Sequence, residues 1–169
     1  MSAPIILDEL RTATISDPAW VAAVGPALDD PHVGVHLAVM VEPFLSLILD
    51  GAKTIESRFS KNAIAPYQRV SDGDVVLLKA GPVVGSFQVS STTYRVLDDG
   101  DLARLRTKYA DAIGAHDDEF WAARADKRYA TLLGVGAVHR LPPVLVSKRD
   151  MRGWVIVRQA ATAEQPTLL

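Results

Sequence analysis

The chain has 169 residues, 49% of them hydrophobic and 22% charged, with a formal net charge of −2. That composition suits one folded domain with a sizeable core and argues against a generic polyanion binder. The absence of cysteine excludes disulfides, zinc ribbons and thiol nucleophiles and fits a cytoplasmic protein. The chain shows no basic leader with an apolar run, and no apolar stretch approaches the ~18–20 residues that span a bilayer.

In chain order, residues 5–12 and 18–28 are predicted helices, divided by Ser16-Asp17-Pro18, which supplies an N-cap. Trp20, Val21, Val24 and Leu28 share one helical face, so residues 1–30 read as a helical extension packed on the domain, with docking of a protein partner as the alternative. Strands are predicted at 36–41, 54–59, 74–79 and 86–96, with a short helix at 43–50 and a break at Ala80-Gly81-Pro82. A helix follows in which Leu102, Leu105, Tyr109 and Ile113 line one face and Gly114 marks the end. Asp117 or Asp118 then caps a second helix carrying Phe120, Trp121 and Arg124. Residues 129–141 form a long strand ended by Pro142-Pro143, and 154–158 the last one. This order predicts an α+β fold, a small mixed-topology β-barrel flanked by helices, occupying residues 31–169 without an inner boundary.

The junction of the short helix and the strand at 54–59 carries the most chemistry. Phe44, Leu45, Ile48 and Leu49 recur at helical spacing after Pro43, and Gly51 suits the left-handed turn that ends a helix. Residues 54–59 then alternate with a period of two, which puts Glu56 and Arg58 on one face and Ile55 and Ser57 on the other, toward the expected core. Lys53 sits at the turn, where its amine swings over the Glu56 face. The alternative is an exposed strand with surface ion pairs worth ~0–1 kcal/mol each.

Gly51, Lys53, Glu56 and Arg58 complete the pattern G-x-K-x-x-E-x-R, and Ser71-Asp72-Gly73-Asp74 precedes the apolar run 75–78. In these residues the chain resembles the ASCH domain of the PUA-like superfamily, over roughly residues 35–158. The resemblance implies a PUA-like barrel with a cleft holding Lys53, Glu56 and Arg58, and a role in binding RNA or a modified nucleoside. It also implies two enzymatic alternatives, a ribonuclease and a nucleoside amidohydrolase, with Lys53 as base and Glu56 as acid. The branch that deacylates acetylated cytidine uses a threonine nucleophile, and its position is occupied here by Glu56. Thr54 lies two residues earlier on the same strand face, and Asp111, Asp117, Asp118 and Glu119 are the acids of the helical segment from which the branch's separate acid would come. A third alternative, a protein-interaction module, rests on the N-terminal helices.

Around that cleft the ligand-binding set is expected to include Tyr67 and Arg69 from the polar loop 61–72, read as a lid, with Arg128, Lys148 and Arg149 from the basic segment 124–158. Trp121 and Trp154 read as packing residues. Gly134 and Gly136 bare one strand face, for packing against a helix, for a bulge, or for a flat ligand. The four histidines lack metal-binding spacing, with His139 an edge residue, and no serine-hydrolase elbow, phosphate-binding loop or dinucleotide fingerprint occurs. Neither a metal nor another cofactor is expected.

Overall fold

Strands buried at consecutive positions, rather than at alternate ones, must be covered on both faces. This is the case for β1 (Val35–Val39) and β3 (Val75–Lys79), each buried at its first four residues, which pair in parallel near the centre of the sheet. The computed structural model describes residues 3–148 and 151–162. Among these, α1 (Ala3–Ser16), α2 (Pro18–Ala23) and α3 (Gly25–Asp29) precede β1, and α4 (Phe44–Leu49) and β2 (Ile55–Ser60) follow it. After β3 come β4 (Val83–Val96), α5 (Asp101–Ile113), α6 (Asp118–Ala122), β5 (Tyr129–Val144) and β6 (Trp154–Arg158).

The strands form one mixed sheet in the order β2-β5-β4-β3-β1-β6, antiparallel except at β1 and β3. The long pair β4–β5 shifts register three times, and such bulges bend and twist a ladder. The sheet therefore curls into a half-barrel, so that Arg58 on the edge strand β2 reaches the carbonyls of Val39 and Gly153 beside the opposite edge.

Three apolar clusters fill the fold. On the convex side Ile6, Leu10, Trp20, Val24 and Leu28 of α1–α3 pack on Val35, Leu37, Leu77, Val155 and Val157. Inside the curl, Ala38, Val76, Leu78, Phe87 and Leu133 meet Leu45 and Ile48 of α4. Under α5 and α6, Leu105, Ile113 and Trp121 cover Ala130 and Leu132, with Ile55 and Phe59 at the margin.

Several boundaries differ from the sequence reading for local reasons. The helix expected at 18–28 is split at Val24, because Pro26 lacks the N–H that would continue it and instead starts α3. Asp17 caps α2 by accepting from Ala19 and Trp20 N–H at 2.8 and 3.3 Å, and Asp117 caps α6 in the same way. Pro142-Pro143 does not end β5. A register shift between Val83 and Gly85 loops the prolines out of the ladder and lets Val144 pair with Val83, while the Pro142 carbonyl accepts from the Trp20 indole at 2.9 Å.

Arg158 clasps the end of α3 against β6. Its guanidinium donates to the carbonyls of Ala27 and Leu28 in the last turn of α3, where helical acceptors run short of intrahelical donors, and to those of Asp30 and Val33 just beyond it. Arg158→Met is expected to cost about 2 kcal/mol, roughly one net charged hydrogen bond, in urea denaturation. An unchanged midpoint would show that water replaces the guanidinium without loss.

Candidate functional site

Gly51 adopts φ 81°, and immediately after it the backbone N–H groups of Ala52 and Lys53 both donate to Leu47 O at 2.9 Å. This doubled closure turns the chain back on α4 and aims the Lys53 side chain inward. Lys53 is 2% exposed and Glu56 4% exposed, so the two charged residues rank with the core. Lys53 Nζ donates to Ile113 O, the last carbonyl of α5, at 2.7 Å and lies 3.4 Å from Glu56 Oε2. Glu56 Oε1 accepts from Arg58 Nε at 2.7 Å.

Arg58 is fixed from the other side as well. Nη2 donates to Val39 O at 3.0 Å and Nη1 to Gly153 O at 3.4 Å, and the guanidinium lies 5.5 Å from the Trp154 ring centre. A third cation completes the group: the Arg124 guanidinium lies 3.4 Å from the centre of the Phe120 ring and 5.6 Å from that of Phe59. The resulting cavity, about 190 Å³, is walled by Phe44, Phe120, Met40 and Val41, with Lys53, Glu56, Arg58 and Arg124 as its charged lining and Ser57, expected on the opposite face, beside them. That is below the ~300–1,000 Å³ of drug-sized pockets and suits one small ring.

One carboxylate faces three cationic groups here, and the electrostatics follow. Burial pushes the Lys53 amine below its ordinary value; Glu56 pulls it back up, and Arg58 and Arg124 push it further down. Burial likewise lowers Arg124. Because the unfolded chain keeps a Lys53 proton that the folded chain gives up, stability rises with pH between the lowered value and 10.5. The melting temperature of the wild type minus that of Lys53→Met is therefore expected to increase from about pH 7 to about pH 10. A flat difference would mean the amine titrates as in the unfolded chain.

No family model and no curated protein matches the chain. Among solved structures, a serine-to-alanine mutant of an ASCH protein from Zymomonas mobilis superposes with TM-score 0.59 at 13% identity, covering 76% of this chain and 91% of its own. The ASCH protein of Zymomonas mobilis itself superposes with TM-score 0.58, also at 13% identity, covering 76% of this chain and 90% of its own. The chain has the ASCH-domain fold.

In this ASCH fold the signature residues Gly51, Lys53, Glu56 and Arg58 lie together where α4 meets β2, on the inner face of the half-barrel. The core-facing side of β2 differs from the sequence reading. Ile55 points to the margin beneath α5, and Glu56 is the more deeply buried residue, because the curl of the sheet and α4 close over its face. Thr54 is exposed, its N–H donating to Ala112 O, and does not line the cleft. Asp111, Asp117, Asp118 and Glu119 also lie outside the lining, Asp118 paired with Arg106.

The outer ligand set does not gather at the cleft. Tyr67 packs between Tyr94 and Tyr129, ring centres 5.5 and 4.9 Å away, and Arg69 is exposed with its carbonyl held by Gln159. No residue of loop 61–72 lines the cavity, since the loop folds back on Tyr94, whose hydroxyl is bonded to both the N–H and the carbonyl of Val70. Arg128 is exposed beside Lys127 and Gly100 in a separate groove. Lys148 follows Ser147, which is bonded to Glu9 of α1, and Arg149 lies outside the described residues. The basic segment thus disperses: Arg140 pairs with Asp50 and Arg158 holds α3, leaving Arg124 at the cleft.

Gly134 and Gly136 serve a bulge. A Cβ at Gly134 would stand 2.4 Å from the hydroxyls of Ser90 and Ser91, and one at Gly136 3.0 Å from Gln88 O, so β4 rather than a helix or ligand fills the bared face. Trp121 and Trp154 are both buried. Among the described residues, no cluster of three or more histidine or acidic side chains is placed to hold a metal, and no helix is long and apolar enough to cross a membrane. The sequence reading missed Phe44, Met40 and Phe120 as walls and Arg124 as a polar member. The i, i+4 spacing of Phe120 and Arg124 carried the one available signal.

Proposed function

We propose that the cleft binds a single base of RNA, or a modified nucleoside, edge-on to Lys53 and Glu56. The observation that carries this reading is the pairing of a buried donor with a buried acceptor at the floor of a cavity that fits one ring. A nucleobase edge offers donors and acceptors side by side, and its faces are apolar, matching Phe44 and Phe120 as walls. Residual lone pairs on Glu56 accept from base N–H groups, and Lys53 donates to a ring carbonyl or nitrogen.

One observation favours hydrolysis of the same ligand class as the second reading. Burial lowers the Lys53 amine beside a carboxylate, which is how a lysine becomes a general base near neutral pH. In this reading Glu56 is the acid that exchanges protons with it.

A gel titration of labelled single-stranded RNA with wild type and Glu56→Gln separates the two. At about 50 mM salt the wild type is expected to shift intact RNA, with the shift fading by about 200 mM as counterions compete. Wild-type cleavage that Glu56→Gln abolishes would establish hydrolysis instead. Neither shift nor cleavage at high protein concentration would sink the polymeric-RNA reading and leave modified nucleosides as the ligand to titrate.

A further inference from the structure

The two arginines of the cleft are in opposite situations. Arg58 has its donors taken by the protein: Nε by Glu56, Nη1 by Gly153 O, and Nη2 by Val39 O and the Met40 sulfur. These bonds run from edge strand β2 to the end of β1 and the residue before β6, so the guanidinium closes the open side of the half-barrel. Releasing it to a ligand would reopen that seam and strip Glu56 of its short hydrogen bond.

Arg124 is held differently. Its one hydrogen bond among the described residues runs from Nη1 to Phe120 O at 2.8 Å, within its own helical turn. The guanidinium is otherwise positioned by stacking on Phe120, which fixes its plane while leaving most of the five donors of an arginine unused. It is half-buried, lines the cavity and joins no salt bridge among the described residues. A planar, pre-oriented guanidinium with spare donors at a cleft mouth matches a phosphate bidentately. Charge agrees: with Lys53, Arg58 and Arg124 cationic and Glu56 anionic, the lining is net positive before any ligand enters.

We infer that Arg124 receives a phosphate attached to the bound base, so that the cleft takes nucleotides in preference to free nucleosides, while Arg58 acts as a positioning residue that holds Glu56 and closes the sheet. This inference rests on the base-binding reading proposed above. The phosphate belongs either to a free nucleotide or to an RNA strand, and the chemistry of the contact is the same.

Calorimetric titration of the four ribonucleosides, their 5′- and 3′-monophosphates and a single-stranded RNA oligomer tests it, with melting temperature recorded for each variant. Wild type is expected to bind at least one monophosphate about 10-fold to 100-fold more tightly than its nucleoside, the range of a charged hydrogen-bonded contact. Arg124→Ala is expected to bring that ratio close to one, Arg124→Lys to restore part of it, and Arg140→Ala, outside the cleft, to leave it unchanged. Arg58→Ala is expected to lower the melting temperature and to weaken nucleoside and monophosphate alike, preserving the ratio, which a residue contacting phosphate would not do. A preference for the oligomer over every monophosphate, lost with Arg124, supports the RNA source; equal affinities support the free nucleotide. If monophosphates bind wild type and Arg124→Ala with the same ratio to nucleoside, the inference is overturned and the base reading stands. If none of the probes binds wild type, the inference is overturned together with the reading of RNA and unmodified bases, and modified nucleosides remain the ligand to titrate.

Discussion

Glu56→Ala is expected to lower folding stability by about 3–5 kcal/mol, the cost of removing one partner from a buried charge cluster. Glu56 is 4% exposed and, among the described residues, is the only anionic group lining the cavity with Lys53, Arg58 and Arg124. Without it, Arg58 Nε loses its 2.7 Å acceptor and the Lys53 amine its 3.4 Å counter-charge, and neither regains full hydration. Lys53 has an escape that the arginines lack. Its amine already sits below its ordinary value through burial, and loss of Glu56, which holds it up, lowers it further. The variant's deficit is therefore expected to shrink as pH rises, because the folded chain releases a proton the unfolded chain keeps. Glu56→Gln, which keeps one acceptor oxygen and the side-chain shape, should recover part of the loss. Urea denaturation of the three proteins at neutral and alkaline pH reads all of this. A Glu56→Ala deficit below about 1 kcal/mol would place the carboxylate among ordinary surface pairs. The same variant is expected to lose ligand binding even where it is fully folded, since the acceptor half of the cleft floor is gone.

How far the sequence reached depends on the range of the interaction. The turn at Gly51, the period-two alternation of 54–59 and the grouping of Lys53, Glu56 and Arg58 are local, and they were legible from spacing. Which side of β2 is buried was not, because it depends on the curl that bulges in β4 and β5 impose, and on α4 closing over Glu56. Tyr67 was read as a platform on a lid, yet two tyrosines from distant strands, Tyr94 and Tyr129, enclose it. Neither is near it in sequence. Arg124 stood in a basic segment from which Arg140 goes to Asp50 and Arg158 to α3; its place at the cleft shows only when Phe120 is laid beside Phe44 of α4. His36 was one of four histidines without metal-binding spacing, and no partner for it was legible in the sequence. Its partner is Asp74, and only the parallel register of β1 with β3, His36 opposite Val76, brings the two together.

That last pair supports the other large expected effect: Asp74→Ala should destabilise the fold by about 3–4 kcal/mol, since two buried donors and one part-buried donor lose one acceptor group. Asp74 Oδ1 accepts from Gly34 N–H at 2.8 Å, and Oδ2 accepts from His36 Nε2 at 2.8 Å and Ser71 N–H at 3.0 Å. The carboxylate is packed so closely on Gly34 that a Cβ there would lie 2.4 Å from Oδ2. Burial raises the Asp74 carboxyl, but the hydrogen bonds from His36, Ser71 and Gly34 outweigh it and hold it below 3.8. The unfolded chain therefore takes up a proton before the folded one does. The contribution is complete above the unfolded value and is lost as pH falls through the folded one, so the gap between wild type and Asp74→Ala narrows only below about pH 4. The effect should also reach the cleft. The Trp154 indole donates to His36 Nδ1 at 3.2 Å, which places the ring proton on Nε2 for Asp74, and Trp154 in turn lies under the Arg58 guanidinium. With Asp74 gone, His36 Nε2–H loses its acceptor, and the imidazole beneath Trp154 is held by the indole hydrogen bond alone. Tryptophan fluorescence and acid titration of wild type and Asp74→Ala, run beside urea denaturation, measure both parts; parallel acid limbs with a constant offset would show that Asp74 acts through packing alone.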